Sequence, residues 1–217
     1  MSMRLAPCLA SLAAAALAPP ALAHPHVFID ARAEIVFDDN DRLAAIRHIW
    51  RFDEAFTAFA VDGLDADGDG AFSVAELDPL AKVNVDSLAE FGFFSYVIVD
   101  DEEQAFTAPD EYWLSYDDGQ LTLFYTLPLA PPAAVNGTVT IQVFDPEFFV
   151  AFQFVPDDPA TLIDAPPGCD AVYTPPGEID VQTLVLLGQI PMDQRELPPD
   201  LRRAASVAAN AIAITCP

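Results

Sequence analysis

Hydrophobic and polar positions alternate from Val27 to Phe37 and again from Leu43 to Phe52, with Asp38-Asp39-Asn40-Asp41 between the two runs. Period-two patterning puts every second side chain on one face, so this region reads as two strands of a β-hairpin. At Glu54 the period changes. Ala55, Phe56, Phe59, Ala60 and Leu64 fall at helical spacing, which predicts a helix over Glu54–Leu64, and a second helix follows over Ser73–Glu90, with Pro79 expected to kink or break it. Strand patterning then returns at Phe94–Asp100, Glu111–Tyr116, Leu121–Leu127, Thr138–Phe144 and Phe148–Phe154. Asp118-Gly119 reads as a hairpin turn and Asn136-Gly137 as the end of a proline-rich loop. The last third predicts a helical stretch near Asp180–Leu187 and an Ala-rich helix from about Pro199 to Ala211, with Arg202 and Arg203 exposed. No repeat or low-complexity linker divides the chain. The pieces add up to one α+β domain over residues 24–217, an antiparallel sheet interrupted by a helix pair and followed by C-terminal helices.

The first 23 residues stand apart. Met1–Ala23 carries one charge, Arg4, then an Ala/Leu stretch ending in Ala21-Leu22-Ala23, the small-x-small pattern of a secretory signal peptide. Cleavage is expected after Ala23, because the earlier candidate Ala16-Leu17-Ala18 would leave Pro19 next to the cut. The mature chain would begin at His24. Leu5-Ala6-Pro7-Cys8 matches a lipoprotein box only loosely and precedes the apolar stretch instead of ending it. No later segment approaches the roughly 20 apolar residues of a membrane span, so direct membrane insertion is not expected.

The chain carries 9 Lys and Arg against 34 Asp and Glu, a net charge of −25. Nucleic acid and anionic membrane surfaces are thereby disfavoured as partners, and cations or basic surfaces favoured; an acidic surface suited to salty surroundings would look the same. Two cysteines survive processing, Cys169 and Cys216, in a compartment where disulfides persist, and they are expected to be bonded. Closing that loop is worth about 4 kcal/mol in the chain-entropy model.

The most specific motif is Asp65 to Glu76, DADGDGAFSVAE. It resembles the twelve-residue calcium loop of an EF-hand: Asp65, Asp67 and Asp69 at positions one, three and five, Gly70 at six, the Ala71 carbonyl at seven, Ser73 at nine acting through water and Glu76 at twelve as a bidentate clamp. Phe72 is expected to point back into the core. The helix pair thus becomes an EF-hand-like insertion over about 54–90, and Ca²⁺ a cofactor. The competing reading of the same residues is an acidic Gly-Asp surface turn. A single loop of this kind braces a fold more often than it senses a signal.

Three histidines occur, and two open the mature chain as His24-Pro25-His26. Residues i and i+2 of an extended segment project to one side, so both imidazoles and the α-amine of His24 can meet one ion. Pro25 lacks the amide proton that a square-planar amino-terminal copper site requires, which leaves a flexible grip suited to Zn²⁺, Ni²⁺, Co²⁺ or Cu²⁺. A carboxylate to complete it is sought among Asp30, Asp53, Glu54, Asp145 and Glu147. With the hairpin turn centred near Asn40, paired residues sum to about 80, which sets Glu54 across from His26 and His48 across from Arg32, roughly 20 Å away. His48 therefore reads as a structural histidine. The alternative for His24 and His26 is a frayed, exposed terminus.

The ordered set of His24-Pro-His-Val-Phe-Ile-Asp30, Trp50-x-Phe-Asp-Glu54, Gly63 to Gly70 and Phe144-Asp-Pro-Glu-Phe-Phe149 resembles a bacterial periplasmic family of unknown function whose members are labelled as the periplasmic component of an uncharacterised ABC-type transport system. The resemblance spans most of the mature chain to about Cys169. It implies a periplasmic location and a metal-handling role beside an inner-membrane transition-metal transporter, with no catalytic residues to carry over. Matching positions are His24, His26, Asp53, Glu54 and Asp145, together with the loop ligands.

The expectation is a periplasmic metal-binding accessory protein with a structural calcium site, and not an enzyme. A calcium-braced structural or protein-binding module without cargo is the alternative. A copper enzyme with an N-terminal histidine brace has thinner support, since only His26 or His48 could supply the opposing imidazole and no hydrolase or metalloprotease motif is present.

Overall fold

The computed structural model describes residues 25–191 and 197–217. Met1–Ala23 and His24 therefore lie outside the described residues. The chain begins with β1 (Val27–Phe37) and β2 (Arg42–Phe52), the hairpin expected from the alternation. Residues 29, 31, 33, 35 and 37 of β1 are buried while Phe28, Asp30 and Arg32 face outward. Asp38 organises the turn by accepting the Asn40 and Arg42 N–H groups, and it pairs with the Arg42 guanidinium at 2.7 Å. The register corrects the hairpin arithmetic: a bulge between Val36 and Phe37 shifts the pairs, so that Ala33, not Arg32, faces His48. Glu54 is not across from His26, because Asp53 already lies opposite Phe28.

Next come α1 (Glu54–Ala60), α2 (Val74–Leu88) and a 3₁₀ segment over Ala89–Phe94. Asp53 caps α1 by accepting the Phe56 N–H. The helix stops at Ala60, four residues short of the expected Leu64, and a turn containing Gly63 at φ +78° separates it from the acidic loop. A helix running directly into the loop is thus not what the structure has. Ser73 and Glu76 form a reciprocal capping box at the start of α2, which then continues through Pro79 without a break. Leu77, Ala81 and Val85 of α2 are buried. Their burial outweighs the roughly 3 kcal/mol that an internal proline costs.

The remaining elements are β3 (Ser95–Val99), β4 (Glu102–Glu103), β5 (Tyr112–Asp117), β6 (Gln120–Ala134), β7 (Thr138–Val143), β8 (Val150–Phe154), β9 (Ala160–Ile163), β10 (Asp170–Thr174), α3 (Val181–Leu187), α4 (Pro199–Ala205) and β11 (Asn210–Thr215). They build two sheets, one in the order β5-β6-β2-β1-β8 with β9 also on β1, the other β10-β11-β7-β3-β4. Most pairings are antiparallel, but β8 and β9 run parallel to β1 along its free edge. The Asp118-Gly119 turn between β5 and β6 has both residues at positive φ, as a two-residue hairpin turn requires.

Two segments depart from their expected form. β6 extends through Pro128, Pro131 and Pro132, read above as loop; its pairing with β2 slips between Leu43 and Ala45, where prolines without an N–H can be accommodated. The expected helix to Ala211 ends at Ala205, and Asn210, Ile212 and Ile214 instead bury one face of strand β11 between β7 and β10. Period-two burial wins there over the helix propensity of alanine. Inner faces of both sheets and of α2 contribute to one continuous core, and Cys169 is bonded to Cys216 beside β10 and β11.

Candidate metal centre

The acidic loop is built by its own backbone. Asp65 accepts the N–H groups of Gly68 and Gly70, Asp67 that of Asp69, and Asp69 that of Ala71. Gly68 and Gly70 lie at φ +73° and +81°, a region where a side chain would strain the backbone. Glu76 reaches back from α2 so that one oxygen accepts the Ala66 N–H at 2.9 Å and the other accepts both the N–H and the hydroxyl of Ser73. Those bonds from Ser73, with a further one from Ala66, hold the Glu76 carboxyl below its ordinary range and keep it ionised at neutral pH.

Oxygens of Asp65, Asp67 and Glu76 lie within 4.8 Å of one another, and this is the one such group of three among the described residues. Asp69 stays outside it. Ionised carboxylates at this separation repel by roughly 1 kcal/mol per pair even in a water-like dielectric, and among the described residues no ion pair offsets the charge. A carboxylate offers about four lone-pair sites, so the backbone bonds leave capacity for a further partner. Chemically the arrangement suits a hard, oxygen-seeking cation. Phe72 packs edge-on against Tyr116 at 4.7 Å and anchors the loop to the sheet, as expected.

The residues considered for a transition ion are placed differently. His26 donates its backbone N–H to the Phe149 carbonyl at 2.8 Å, and its ring lies 4.7 Å from that of Phe149. Asp53 uses one oxygen for the Phe56 N–H and the other for the Phe28 N–H. Asp145 is buried and accepts three backbone N–H groups, from Glu147, Phe149 and Val150, at 2.8 to 2.9 Å. Burial pushes its carboxyl up, against the pull of those three donors. Glu147 pairs with Arg202 and accepts the Leu197 N–H. Glu54 and Asp30 are exposed. The structure thus gathers His26, Asp145, Glu147 and Phe149 at one end of β1 and β8, while Asp53 and Asp145 hold backbone together.

His48 is fully buried, between the rings of Trp50 and Tyr125 at 5.1 and 4.8 Å. The Ser95 hydroxyl donates to the Phe93 carbonyl at 2.9 Å, so its oxygen accepts from His48 Nε2–H at 3.1 Å, and Nδ1 carries the lone pair. This chain of bonds ties β2 to the start of β3 and holds a segment in which Gly92, Phe93 and Phe94 are all at positive φ. Ser95 carries no mark in the sequence that links it to a histidine 47 positions away.

Burial lowers the His48 pKa from 6.5 to about 3. Below about pH 6.5 the unfolded chain therefore takes up a proton that the folded protein refuses until about pH 3, and stability falls as pH drops through that window. Between pH 7.5 and 5 the loss from this group is about 2 kcal/mol. Urea denaturation across this range should show that much more acid sensitivity in the wild type than in His48→Gln; equal slopes would mean that His48 is charged when folded.

Among the described residues no helix is long and apolar enough to cross a membrane. The structure is thus an α+β protein with two mostly antiparallel sheets and an acidic loop at the head of its longest helix. The chain belongs to the DUF1007 family, described as a protein of unknown function, whose model matches residues 9–216. It is also 26% identical over 136 residues to an uncharacterised protein of Haemophilus influenzae, an alignment that covers 61% of this chain and 64% of that relative's length.

Proposed function

We propose that this chain is an exported, periplasmic metal-binding accessory protein in which the Asp65–Glu76 loop takes up Ca²⁺ as a structural brace. The observation that carries the reading is the convergence of Asp65, Asp67 and Glu76 within 4.8 Å, at the spacing of a calcium loop. Those three would bind directly, with Asp69, the Ala71 carbonyl and a water on Ser73 completing the oxygen shell. The ion would tie the loop to the first turn of α2, whose burial against β5 passes the constraint to the sheet.

The same proposal gives the His24-Pro25-His26 terminus the task of presenting a transition ion (Zn²⁺, Ni²⁺, Co²⁺ or Cu²⁺) to an inner-membrane metal transporter. It is supported by the place of His26, at the sheet end that also carries Asp145 and Glu147. A calcium-braced module without cargo is the second reading, favoured by the backbone donors that already occupy Asp53 and Asp145.

In a metal-stripped sample, Ca²⁺ at one hundred times its Kd should stabilise the fold by about 2.7 kcal/mol, seen as a rise in Tm, and Glu76→Gln should remove the rise. An unchanged Tm would reject the calcium site. Native mass spectrometry of the chain starting at His24, titrated with calcium and then with each transition ion, separates the two readings. One transition ion lost in His24→Ala/His26→Ala supports cargo, and calcium alone supports the brace.

A further inference from the structure

Burial alternates along β1, β2 and β6, so the sheet that holds the first hairpin turns one face to the core and the other outward. On the outward face Trp113, Phe124 and Ile49 are cross-strand neighbours on β5, β6 and β2. None of the three belongs to the hydrophobic core. The rings of Trp113 and Phe124 stack at 4.8 Å, and Trp113 is 36% exposed. An apolar row of this kind, outside the core, is available to a partner.

The cations of the chain gather around it. Arg47 and Arg51 stand two residues to either side of Ile49 on β2, about 7 Å along the strand, and Arg32 is its partner on β1. All three share the outward face with Ile49. The chain has only 9 Lys and Arg against 34 Asp and Glu, so three arginines around one residue are a local reversal of its charge. Asp30 and Glu34 lie on the same face. Arg47 pairs with Glu34, but Arg32 and Arg51 make no ion pair among the described residues.

Unpaired cations beside an apolar row fit a partner that is acidic and apolar at once. Net charge makes such a partner specific for this face: at −25 the rest of the surface repels it, so it is attracted here and turned away elsewhere. Shape narrows it further. The face is an open sheet surface, and an extended chain lying on it repeats its side chains every second residue, the same interval that separates Arg51, Ile49 and Arg47.

We propose that this face docks an extended acidic segment of a partner protein, with an acidic, an apolar and an acidic side chain at alternate positions. The apolar one lies on Ile49, Phe124 and Trp113, and the carboxylates meet the arginines. The inference does not rest on the metal reading, since no calcium-loop residue and no histidine takes part.

The probe is the dye-labelled, end-capped peptide Ser-Glu-Ser-Phe-Ser-Glu-Ser, followed by fluorescence anisotropy with calcium held constant. Saturable binding is expected, and it should weaken as salt rises. Ala in place of the peptide's Phe should weaken it about tenfold, and Lys in place of both Glu should abolish it. Trp113→Ala and Arg32→Ala/Arg51→Ala should each weaken it about tenfold at unchanged Tm. Arg42→Ala, at a guanidinium already paired with Asp38, should leave it unchanged. Because Trp50 is 1% exposed, protection of the wild-type fluorescence from acrylamide by unlabelled peptide reports Trp113. Unsaturable binding, equal binding of the lysine peptide, or full binding by the double arginine variant would each overturn the proposal. So would self-association lost in Trp113→Ala, which makes a second copy the occupant, or capture by anionic phospholipid vesicles without peptide binding, which makes it a membrane.

Discussion

Asp145→Ala is expected to destabilise the protein by roughly 4 kcal/mol, because it strands three backbone N–H groups at a buried position. The effect should exceed that of an ordinary surface carboxylate for a reason visible in the turn. Asp145 is 5% exposed, and its two oxygens hold Glu147, Phe149 and Val150 in the conformation that starts β8. Phe149 in turn offers its carbonyl to His26 and Val27, so one carboxylate sets where the N-terminal segment meets the sheet. Asp145→Asn keeps one acceptor oxygen and should cost about half as much. Urea denaturation in metal-free buffer is the measurement. If Asp145 serves chiefly as a metal ligand, the alanine variant will be close to wild type there and will differ only once metal is added.

Replacing Cys169 and Cys216 by serine should cost about 4 kcal/mol, the chain-entropy value for a loop closed across 47 positions. The bridge has a particular place. Cys169 precedes β10 and Cys216 follows β11, which are paired from Asp170 opposite Thr215 onward. The bond therefore pins the register of that pair at its first rung. Gly168, at φ +92° with the Pro217 ring 3.0 Å from where a Cβ would stand, brings the two ends together. Thermal unfolding of the double serine variant should show a Tm lower by several degrees for each kcal/mol lost. A Tm within a degree of wild type would mean that the β10 and β11 pairing holds its register unaided.

What could be read from the sequence follows from how local each signal is. The first hairpin was legible because eleven residues alternate in each strand and the turn residues supply their own bonds, yet its register was off by one because a bulge leaves no sequence mark. The start of α2 at Ser73 is legible from the calcium-loop pattern that ends at Glu76, although the capping bonds between those two residues show only in the fold; the early stop of α1 is not legible, since the apolar spacing continues to Leu64. Strands β9 and β10 are too short to show an alternation in the sequence, and the parallel pairing on β1 joins residues more than a hundred positions apart. The acidic loop is a local object and stood out at once. Asp145 looked like a ligand because a carboxylate beside a proline can be many things, and only the folded turn shows its oxygens committed to backbone.

Strand β11 lies inside its sheet, hydrogen-bonded to β7 on one side and to β10 on the other. Synthesis therefore runs against assembly: β3 and β7 can pair early, but the outer edge of β7 waits unpaired for residues 210–215. Pairings of such sequence separation form slowly, since loop closure precedes any reward. The second sheet is thus closed only when residues 210–215 have been made, whereas every strand of the first is present by Ile163.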